Sequence, residues 1–301
     1  MIFPPRLGPG CHIGLVAPGR KLSEQELREG MAPFESWKVH WHLAPSLAST
    51  SHSYLSGSDE ERCADLQHLL DHLEVDVILC ARGGYGTTRI IDQLDFSAFR
   101  QKPKWLVGFS DITALHLRLQ KENIASIHGG MPIQFGRPEH FESLQSLFDC
   151  LQYGTFDLSA PVHRQNRVGT VRAPLIGGNL SLLVDSLGTR DEIDTAGKIL
   201  LLEEVDEYHY KVDRMLTQLK RAGKSQQLAG LAIGHLTSMK ETAVPFGDLA
   251  ELIRNHVQGY PFPVAFGLPF GHEAPNRSWI EGAEADFQVT AQGVTLRSPA
   301  S

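Results

Sequence analysis

The first half of the 301-residue chain alternates short apolar segments with helical ones, and this alternation constrains the fold more than any other feature. The Ser-x-x-Glu pattern of a capping box occurs at Ser23 and at Ser58, and a helical pattern follows each serine. Strands that alternate with helices form a mostly parallel sheet with helices on both faces. The sequence therefore predicts an α/β domain over residues 1–152. Its strand-like segments are HIGLVA (12–17), VHWHL (39–43), VDVILC (75–80), WLVGF (105–109) and ASIH (125–128).

The second half of the chain has a different pattern. Residues 153–172 are polar and irregular, and we interpret them as a linker to a second domain over residues 173–301. That domain has helical patterns near 179–187 and over 212–222, and we expect its last two strand-like segments to pair as antiparallel neighbours. The strand-like segments are KILLLEEV (198–205), GLAIGHL (230–236), PVAFGLPF (263–270), WIEGAEADFQV (279–289) and GVTLRS (293–298).

Charge, cysteine content and hydropathy exclude several functional classes. The chain has 28 basic and 35 acidic residues, and its net charge of −7 gives a nucleic-acid partner no electrostatic support. The four cysteines lie far apart with no C-x-x-C pair, and no other metal-ligand spacing occurs, so we predict no metal and no cofactor. Neither a signal peptide nor a membrane-spanning segment is recognisable, which predicts a cytoplasmic protein without a membrane partner.

A serine follows the predicted strand WLVGF, at a position where a parallel sheet binds its ligands. Ser110 could be a nucleophile, because the helical pattern after it begins with backbone N–H groups able to bind an oxyanion. It could equally be a helix N-cap. The spacing Gly108-x-Ser110 resembles the G-x-S-x-G elbow, but Ile112 replaces the second glycine, which weakens an α/β-hydrolase assignment.

Three further patterns follow predicted strands. Arg82-Gly83-Gly84-Tyr85-Gly86 is either a tight turn or an anion-binding nest, and it lacks the third glycine of a dinucleotide loop. Glu203 and Glu204 end an apolar strand and begin an acidic run that could simply be a solvated loop. His272 follows a strand and a glycine, although most of the 14 histidines must have other roles. Together these patterns supply a nucleophile, an orienting carboxylate and a general base, as a serine hydrolase requires.

Four motifs, in this order, resemble those of the LD-carboxypeptidase family of serine peptidases. They are RGGYG (82–86), GFSDIT (108–113), LLLEE (200–204) with its downstream Y-x-Y-x-V-D-R-M-L, and FGH (270–272). GLVAP (14–18) and APLIGGNLSLL (173–183) extend the resemblance over nearly the whole chain. One departure is Gly19, which follows GLVAP where relatives often carry serine.

The resemblance implies an α/β N-terminal domain with a parallel sheet, similar to class I glutamine amidotransferases, and a C-terminal β/α swivelling domain, with the active site between them. It implies a catalytic triad of Ser110, Glu203 and His272. The backbone N–H groups of Asp111 and Gly84 would form the oxyanion hole. Arg82 and Asn179 are further candidates for substrate binding, and Arg82 could instead brace the glycine-rich turn.

The substrate that the resemblance implies is a murein tetrapeptide, cut before its terminal D-alanine during cell-wall recycling by a homodimeric enzyme. Two alternatives stay open. The chain could resemble the microcin-immunity peptidases of the same family, which cleave a peptidyl-nucleotide, or it could bind murein peptides without cleaving them.

Overall fold

The computed structural model describes residues 1–299, which divide into two compact units. The first unit contains Met1–Thr155 and Arg277–Ile280, and the second contains Phe156–Asn276 and the chain from Glu281 onward. Among the described residues, no helix has both the length and the apolar character needed to cross a membrane.

The first unit contains a six-stranded sheet. In chain order its strands are β1 (His12–Val16), β2 (His40–Leu43), β3 (Val77–Cys80), β4 (Trp105–Gly108), β5 (Ser126–His128) and β11 (Trp279–Glu281), and across the sheet they run β11-β5-β4-β3-β1-β2. The pairs from β2 through β5 are all parallel, which confirms the predicted parallel α/β architecture. β3 and β4 are buried along their whole length, because helices cover both faces of a parallel sheet.

Helices of the first unit connect these strands. Both predicted capping boxes are present, at Ser23 and Ser58. The helices are α1 (Glu24–Met31), α2 (Asp59–Asp71), α3 (Thr87–Ile90), α4 (Ser97–Gln101), α5 (Thr113–Lys121), α6 (Pro132–Phe135) and α7 (Phe141–Tyr153), with short 3-10 helices at Ala32–Trp37, Pro45–Ala48, Ile91–Gln93, Ser110–Ile112 and Pro138–His140.

The second unit contains a seven-stranded mixed sheet. Its strands are β6 (Asp157–Ala160), β7 (Gly169–Asn179), β8 (Ile199–Val205), β9 (Gly230–Thr237), β10 (Val264–Phe266), β12 (Glu284–Val289) and β13 (Val294–Arg297), in the order β10-β9-β8-β7-β12-β13-β6. The strands from β7 to β10 are parallel, and β12 pairs antiparallel with β13 as predicted. The helices are α8 (Leu180–Asp185), α9 (His209–Arg221) and α10 (Leu249–His256).

Two segments differ from the sequence-based interpretation. The predicted irregular linker over 153–172 contains β6 and the start of β7, and the first unit ends at Thr155. β6 has the alternating burial of a half-solvated strand, with Leu158 and Ala160 buried and Asp157 and Ser159 exposed, but its four residues are too few to stand out from the polar sequence around them. The predicted strand over 279–289 is two strands in two different sheets, separated near Gly282, whose φ of +81° an extended strand does not permit.

Candidate active site

Ser110 lies in a sharp turn between β4 and α5. Its φ is +63°, a left-handed conformation that is disfavoured for residues with a Cβ atom and is concentrated at functional sites. It begins the 3-10 helix Ser110–Ile112, and the N-cap positions of that helix and of α5 belong to Phe109 and Ile112. An N-cap residue normally has an extended backbone, so the conformation does not support the helix-cap interpretation of Ser110.

The departure from the G-x-S-x-G pattern has a packing explanation. A Cβ atom on Gly108 would lie 2.9 Å from both γ carbons of Ile112. The isoleucine therefore occupies the space above Gly108, and the glycine at the end of β4 lets the turn fold back closely. The elbow is kept although the second glycine of the pattern is absent.

The glycine-rich turn packs directly against the Ser110 turn. A Cβ atom on Gly83 would lie 3.0 Å from the Ser110 Cβ and 3.3 Å from the Asp111 nitrogen. Gly84 has a φ of +98°, which only glycine adopts without strain. The first unit thus brings together the two segments that were predicted to donate oxyanion-hole N–H groups.

The Asp111 side chain holds the start of this turn in place. Its buried carboxylate accepts hydrogen bonds from the Thr87 backbone nitrogen at 3.0 Å and the Thr87 hydroxyl at 2.7 Å. Burial raises the pKa of Asp111, and the hydrogen bonds from Thr87 oppose that rise. A Cβ atom on Gly19 would lie 2.7 Å from the Asp111 Oδ2, so the carboxylate fills the space that a serine at position 19 would need.

Arg82 braces the same turn in the first unit. Its guanidinium donates a hydrogen bond to the Lys21 carbonyl at 3.3 Å and lies 3.7 Å from the Glu26 carboxylate. Burial lowers the pKa of Arg82, and the positive charges of Arg20 and Arg137 lower it further. These contacts support the bracing role, and the cluster of three arginines is compatible with an anionic ligand.

In the second unit, Glu203 and His272 form a hydrogen-bonded pair. The Nδ1 of His272 lies 2.6 Å from the Oε2 of Glu203, whose side chain is fully buried. Burial lowers the pKa of His272, but the charge of Glu203 and its hydrogen bond outweigh burial, so the net pKa is raised. Because a carboxylate only accepts hydrogen bonds, Nδ1 carries the proton and Nε2 carries the lone pair of the neutral ring. This is the tautomer that a general base needs.

A glycine allows this pair to form. Gly271 has a φ of +119°, and its backbone nitrogen donates a hydrogen bond to the Asn276 side chain at 2.9 Å. A Cβ atom on Gly271 would lie 3.0 Å from the Glu203 Cβ and 3.1 Å from the His235 Cβ. The FGH motif therefore combines the Glu203-bound histidine with the one residue type that lets its loop approach β8 closely.

The neighbouring Glu204 points the other way. Its carboxylate accepts hydrogen bonds from the Asn179 amide at 2.9 Å, from the Ser181 nitrogen at 2.9 Å and hydroxyl at 2.6 Å, and from the Val205 nitrogen at 2.8 Å. Burial raises the pKa of Glu204, and these hydrogen bonds oppose the rise. Glu204 thus ties β8 to the start of α8.

Asn179 and the rest of the acidic run have structural contacts. Asn179 is the N-cap of α8, where its side chain accepts a hydrogen bond from Leu182, in addition to its bond to Glu204. Asp206 is exposed and pairs with Lys240 at 2.6 Å. The acidic run therefore separates into two buried carboxylates with defined contacts and a solvated end.

The sequence interpretation missed His235. This half-buried histidine lies near the end of β9, beside β8, and its Nδ1 accepts a hydrogen bond from the Glu273 nitrogen at 3.2 Å. Burial lowers the pKa of His235, partly against the charges of Glu273 and Glu203. Its position at the carboxyl end of a parallel strand is the signal that could have identified it.

Two family models match the chain, one in the first unit and one mainly in the second. Residues 13–129 match the model described as LD-carboxypeptidase N-terminal domain, and residues 172–287 match LD-carboxypeptidase C-terminal domain. A probable murein peptide carboxypeptidase of Bacillus subtilis is 32% identical over 99% of this chain and 95% of its own length.

Two solved structures resemble the chain. The muramoyltetrapeptide carboxypeptidase of Oxalobacter formigenes has a TM-score of 0.85 at 27% identity, over 96% of this chain and 100% of that one. The microcin C7 self-immunity protein has a TM-score of 0.87 at 19% identity, over 99% of both chains, a likeness of fold alone.

Proposed function

Because the chain belongs to the LD-carboxypeptidase family of serine peptidases, we propose that it removes the terminal D-alanine from murein tetrapeptide. The bond cut joins the L-centre of the diamino acid to that D-alanine. The observation that carries the proposal is the hydrogen bond from His272 to the buried Glu203, because it sets the imidazole in the tautomer of a general base.

The proposed catalytic residues are Ser110, Glu203 and His272. His272 removes the Ser110 proton as the hydroxyl attacks the scissile carbonyl, and then donates that proton to the leaving D-alanine amine. A water molecule, activated by the same imidazole, hydrolyses the acyl-enzyme and restores Ser110. Glu203 orients the ring and stabilises its positive form during both steps. The negatively charged oxygen is bound by the N–H groups of Asp111 and Gly84, each contributing about 3 kcal/mol in comparable sites.

Arg82 and Asn179 are the proposed substrate-binding residues. Arg82 would attract the terminal carboxylate of the peptide, and the nearby charges of Arg20 and Arg137 support an anion there. Asn179 would act mainly by holding Glu204 and the start of α8, since its amide nitrogen donates to Glu204 and its amide oxygen accepts from Leu182. If Arg82→Gln raises KM without lowering kcat, Arg82 binds the substrate carboxylate equally strongly in the ground state and in the transition state.

We also propose a cytoplasmic homodimer that takes part in cell-wall recycling. Four free cysteines, three of them buried, suit a reducing compartment. Burial raises the pKa of Cys11 to about 11, so this thiol stays protonated and unreactive at neutral pH. Light scattering of the purified chain tests the dimer, and cell fractionation tests the location.

The decisive experiment incubates the protein with murein tri-, tetra- and pentapeptides and weighs the products by mass spectrometry. We expect release of D-alanine from the tetrapeptide, with the pentapeptide ending in D-Ala-D-Ala spared. Equal turnover of both peptides would contradict the LD-specific proposal.

The motif resemblance to the microcin-immunity peptidases leaves open a second candidate function, the hydrolysis of a peptidyl-nucleotide, and the fold is similar to that of the microcin C7 self-immunity protein. A peptidyl-nucleotide conjugate belongs in the same assay, and preference for it over the tetrapeptide would favour that function. Saturable murein-peptide binding without turnover or covalent labelling would instead indicate a non-catalytic binder.

A further inference from the structure

Several histidines of the first unit lie on one face of its sheet. In the register of β1 and β2, His12 lies opposite His40 and Gly14 lies opposite His42. Residues two apart in a strand share a face, so His12, His40 and His42 project on the same side as Gly14. A Cβ atom on Gly14 would lie 2.7 Å from Leu69 in α2, so α2 covers this face.

The end of α2 adds two more imidazoles. His68 lies in the last turn of the helix and His72 is its C-cap. The His12 ring stacks on His40 with centroids 4.7 Å apart, the His42 ring meets His72 edge-on at 4.7 Å, and His68 meets His72 at 5.3 Å. We call these five residues the histidine cluster.

Two members of the cluster and one carboxylate converge on a point. The His12 Nδ1 lies 2.9 Å from the His42 Nε2, and a Glu74 carboxylate oxygen lies within 4.8 Å of both. The two histidines are half-buried and Glu74 is exposed, so the group has one side open to solvent. Its base is fixed, because the His12 nitrogen donates to the Asp76 carboxylate and the Asp76 nitrogen donates to the His12 carbonyl, both at 2.9 Å.

These atoms have the chemistry and the spacing of a metal site. Two imidazole nitrogens and a carboxylate oxygen form a ligand set that suits Zn²⁺ and neighbouring transition metals. In a tetrahedral site with metal–nitrogen bonds of about 2.0–2.1 Å, the two nitrogens are about 3.3 Å apart. The two ring nitrogens, now hydrogen-bonded to each other, need to separate by about 0.4 Å to admit the ion, and the Glu74 oxygen must move to a similar distance from them. The open side leaves the fourth position to water.

The surrounding charges do not oppose a cation there. The carboxylate of Asp76 and the negative end of the α2 dipole lie on this side.

We propose that His12, His42 and Glu74 bind a divalent transition-metal ion, with Zn²⁺ as the physiological candidate. The ion joins β1, β2 and the loop before β3, and so fastens the short edge strand β2 to the sheet. The sequence interpretation predicted no metal because these ligands are separated along the chain and become neighbours only through strand pairing. Ser110 follows the carboxyl end of β4, whereas His12 begins β1, so the ion has a structural role and takes no part in hydrolysis.

The test uses the full chain without an affinity tag, freed of metal by a chelator and titrated with Zn²⁺ in a calorimeter. Co²⁺ is the spectroscopic probe, because its visible absorption reports the number and type of ligands. We expect one equivalent to bind, with the affinity reduced at least ~10-fold in His42→Ala and in Glu74→Gln. At the same concentration, Zn²⁺ should raise the Tm of the wild-type chain more than that of either variant.

His163→Ala is the matched control, since His163 packs against Phe266 in the second unit. It should bind Zn²⁺ as the wild type does. If His42→Ala does not fold, Glu74→Gln alone decides, because it changes an exposed residue. No saturable binding below about 100 μM metal, or equal binding by wild type and Glu74→Gln, would overturn the proposal.

Discussion

In the first unit the turn that carries the proposed nucleophile is set mainly by backbone conformation, whereas in the second unit the proposed general base is oriented mainly by a side-chain hydrogen bond. Ser110 owes its placement to a left-handed φ of +63° and to glycines that let neighbouring turns approach. His272 owes its placement to the buried carboxylate of Glu203 at 2.6 Å. We expect added volume to disturb the first arrangement, and we expect the second to respond also to a change of charge without a change of shape. The predictions below test this difference, from the largest expected effect to the smallest.

The largest effect should follow from Ser110→Ala. Removing the nucleophile of a serine peptidase lowers kcat by ~10⁶-fold, and we expect a loss of that order on the tetrapeptide. The stability should change little, because alanine keeps the Cβ atom and therefore the backbone strain. Ser110→Gly is the matched variant, and it should be equally inactive but more stable by about 1–2 kcal/mol, since glycine adopts a positive φ freely. Urea unfolding of both variants checks the strain, and equal stability would show that the elbow stores none.

In the second unit, Glu203→Gln should lower kcat by ~10⁴-fold while preserving the fold. The amide is isosteric with the carboxylate, but it neither stabilises the imidazolium nor enforces the tautomer with its lone pair on Nε2. Steady-state kinetics on the tetrapeptide measures the loss. A rate within tenfold of wild type would mean that the hydrogen bond to Glu203 is structural and that another acid orients His272.

Added volume should matter in the first unit. Gly83→Ala places a methyl group 3.0 Å from the Ser110 Cβ and 3.3 Å from the Asp111 nitrogen, so the elbow must shift. Displacements of this kind cost about 10²-fold in rate, and we expect that loss in kcat. Gly8→Ala is the control, because a Cβ atom there has nothing within 4 Å. Equal rates for both variants would show that the glycine-rich turn does not position Ser110.

The pH profile tests the electrostatic side of the comparison. The general base must be neutral, so kcat/KM should fall about tenfold per pH unit below the pKa of His272. That pKa is raised above 6.5, despite burial, by the charge and hydrogen bond of Glu203, so the acid limb should lie above pH 6.5. In Glu203→Gln the main causes of the rise are removed and only the weaker effect of the Glu204 charge stays, so the limb should move to lower pH. An acid limb at the same pH in both proteins would assign it to another group.

The two units also differ in how much the sequence could predict. The parallel strands of the first unit are continuous apolar runs, and both capping boxes lie within the residues that form them, so local patterns sufficed. The start of β7 and the split at Gly282 depend on pairing with distant strands, which a local pattern does not contain. The φ of Ser110 and the approach of Gly83 to it are likewise tertiary facts. Motif order identified Ser110, Glu203 and His272 as candidates, but only the structure revealed His235 beside the pair.

The smallest effect on rate should come from Glu204→Gln, and it divides the roles of two adjacent acids. Strand alternation turns Glu203 toward His272 and Glu204 toward α8, so the change at Glu204 should leave kcat within about tenfold, or ~1.4 kcal/mol of barrier. Its cost should appear in stability instead. Both oxygens of Glu204 accept from N–H donors, the Asn179 amide and Val205 nitrogen on one side and the Ser181 nitrogen on the other. A glutamine amide must therefore point its own NH₂ at a donor, and we expect a loss of about 1–3 kcal/mol in the free energy of unfolding.

The same urea-unfolding and kinetic measurements on Glu203→Gln should give the reverse pattern, a large loss of rate with a smaller loss of stability. The loss of stability is smaller because only one oxygen of Glu203 accepts the hydrogen bond of His272. If both variants lost rate and stability in equal proportion, the two carboxylates would form one structural unit at the end of β8. Glu203 would then not act mainly on the His272 imidazole, and Glu204 would not act mainly on the packing of β8 against α8.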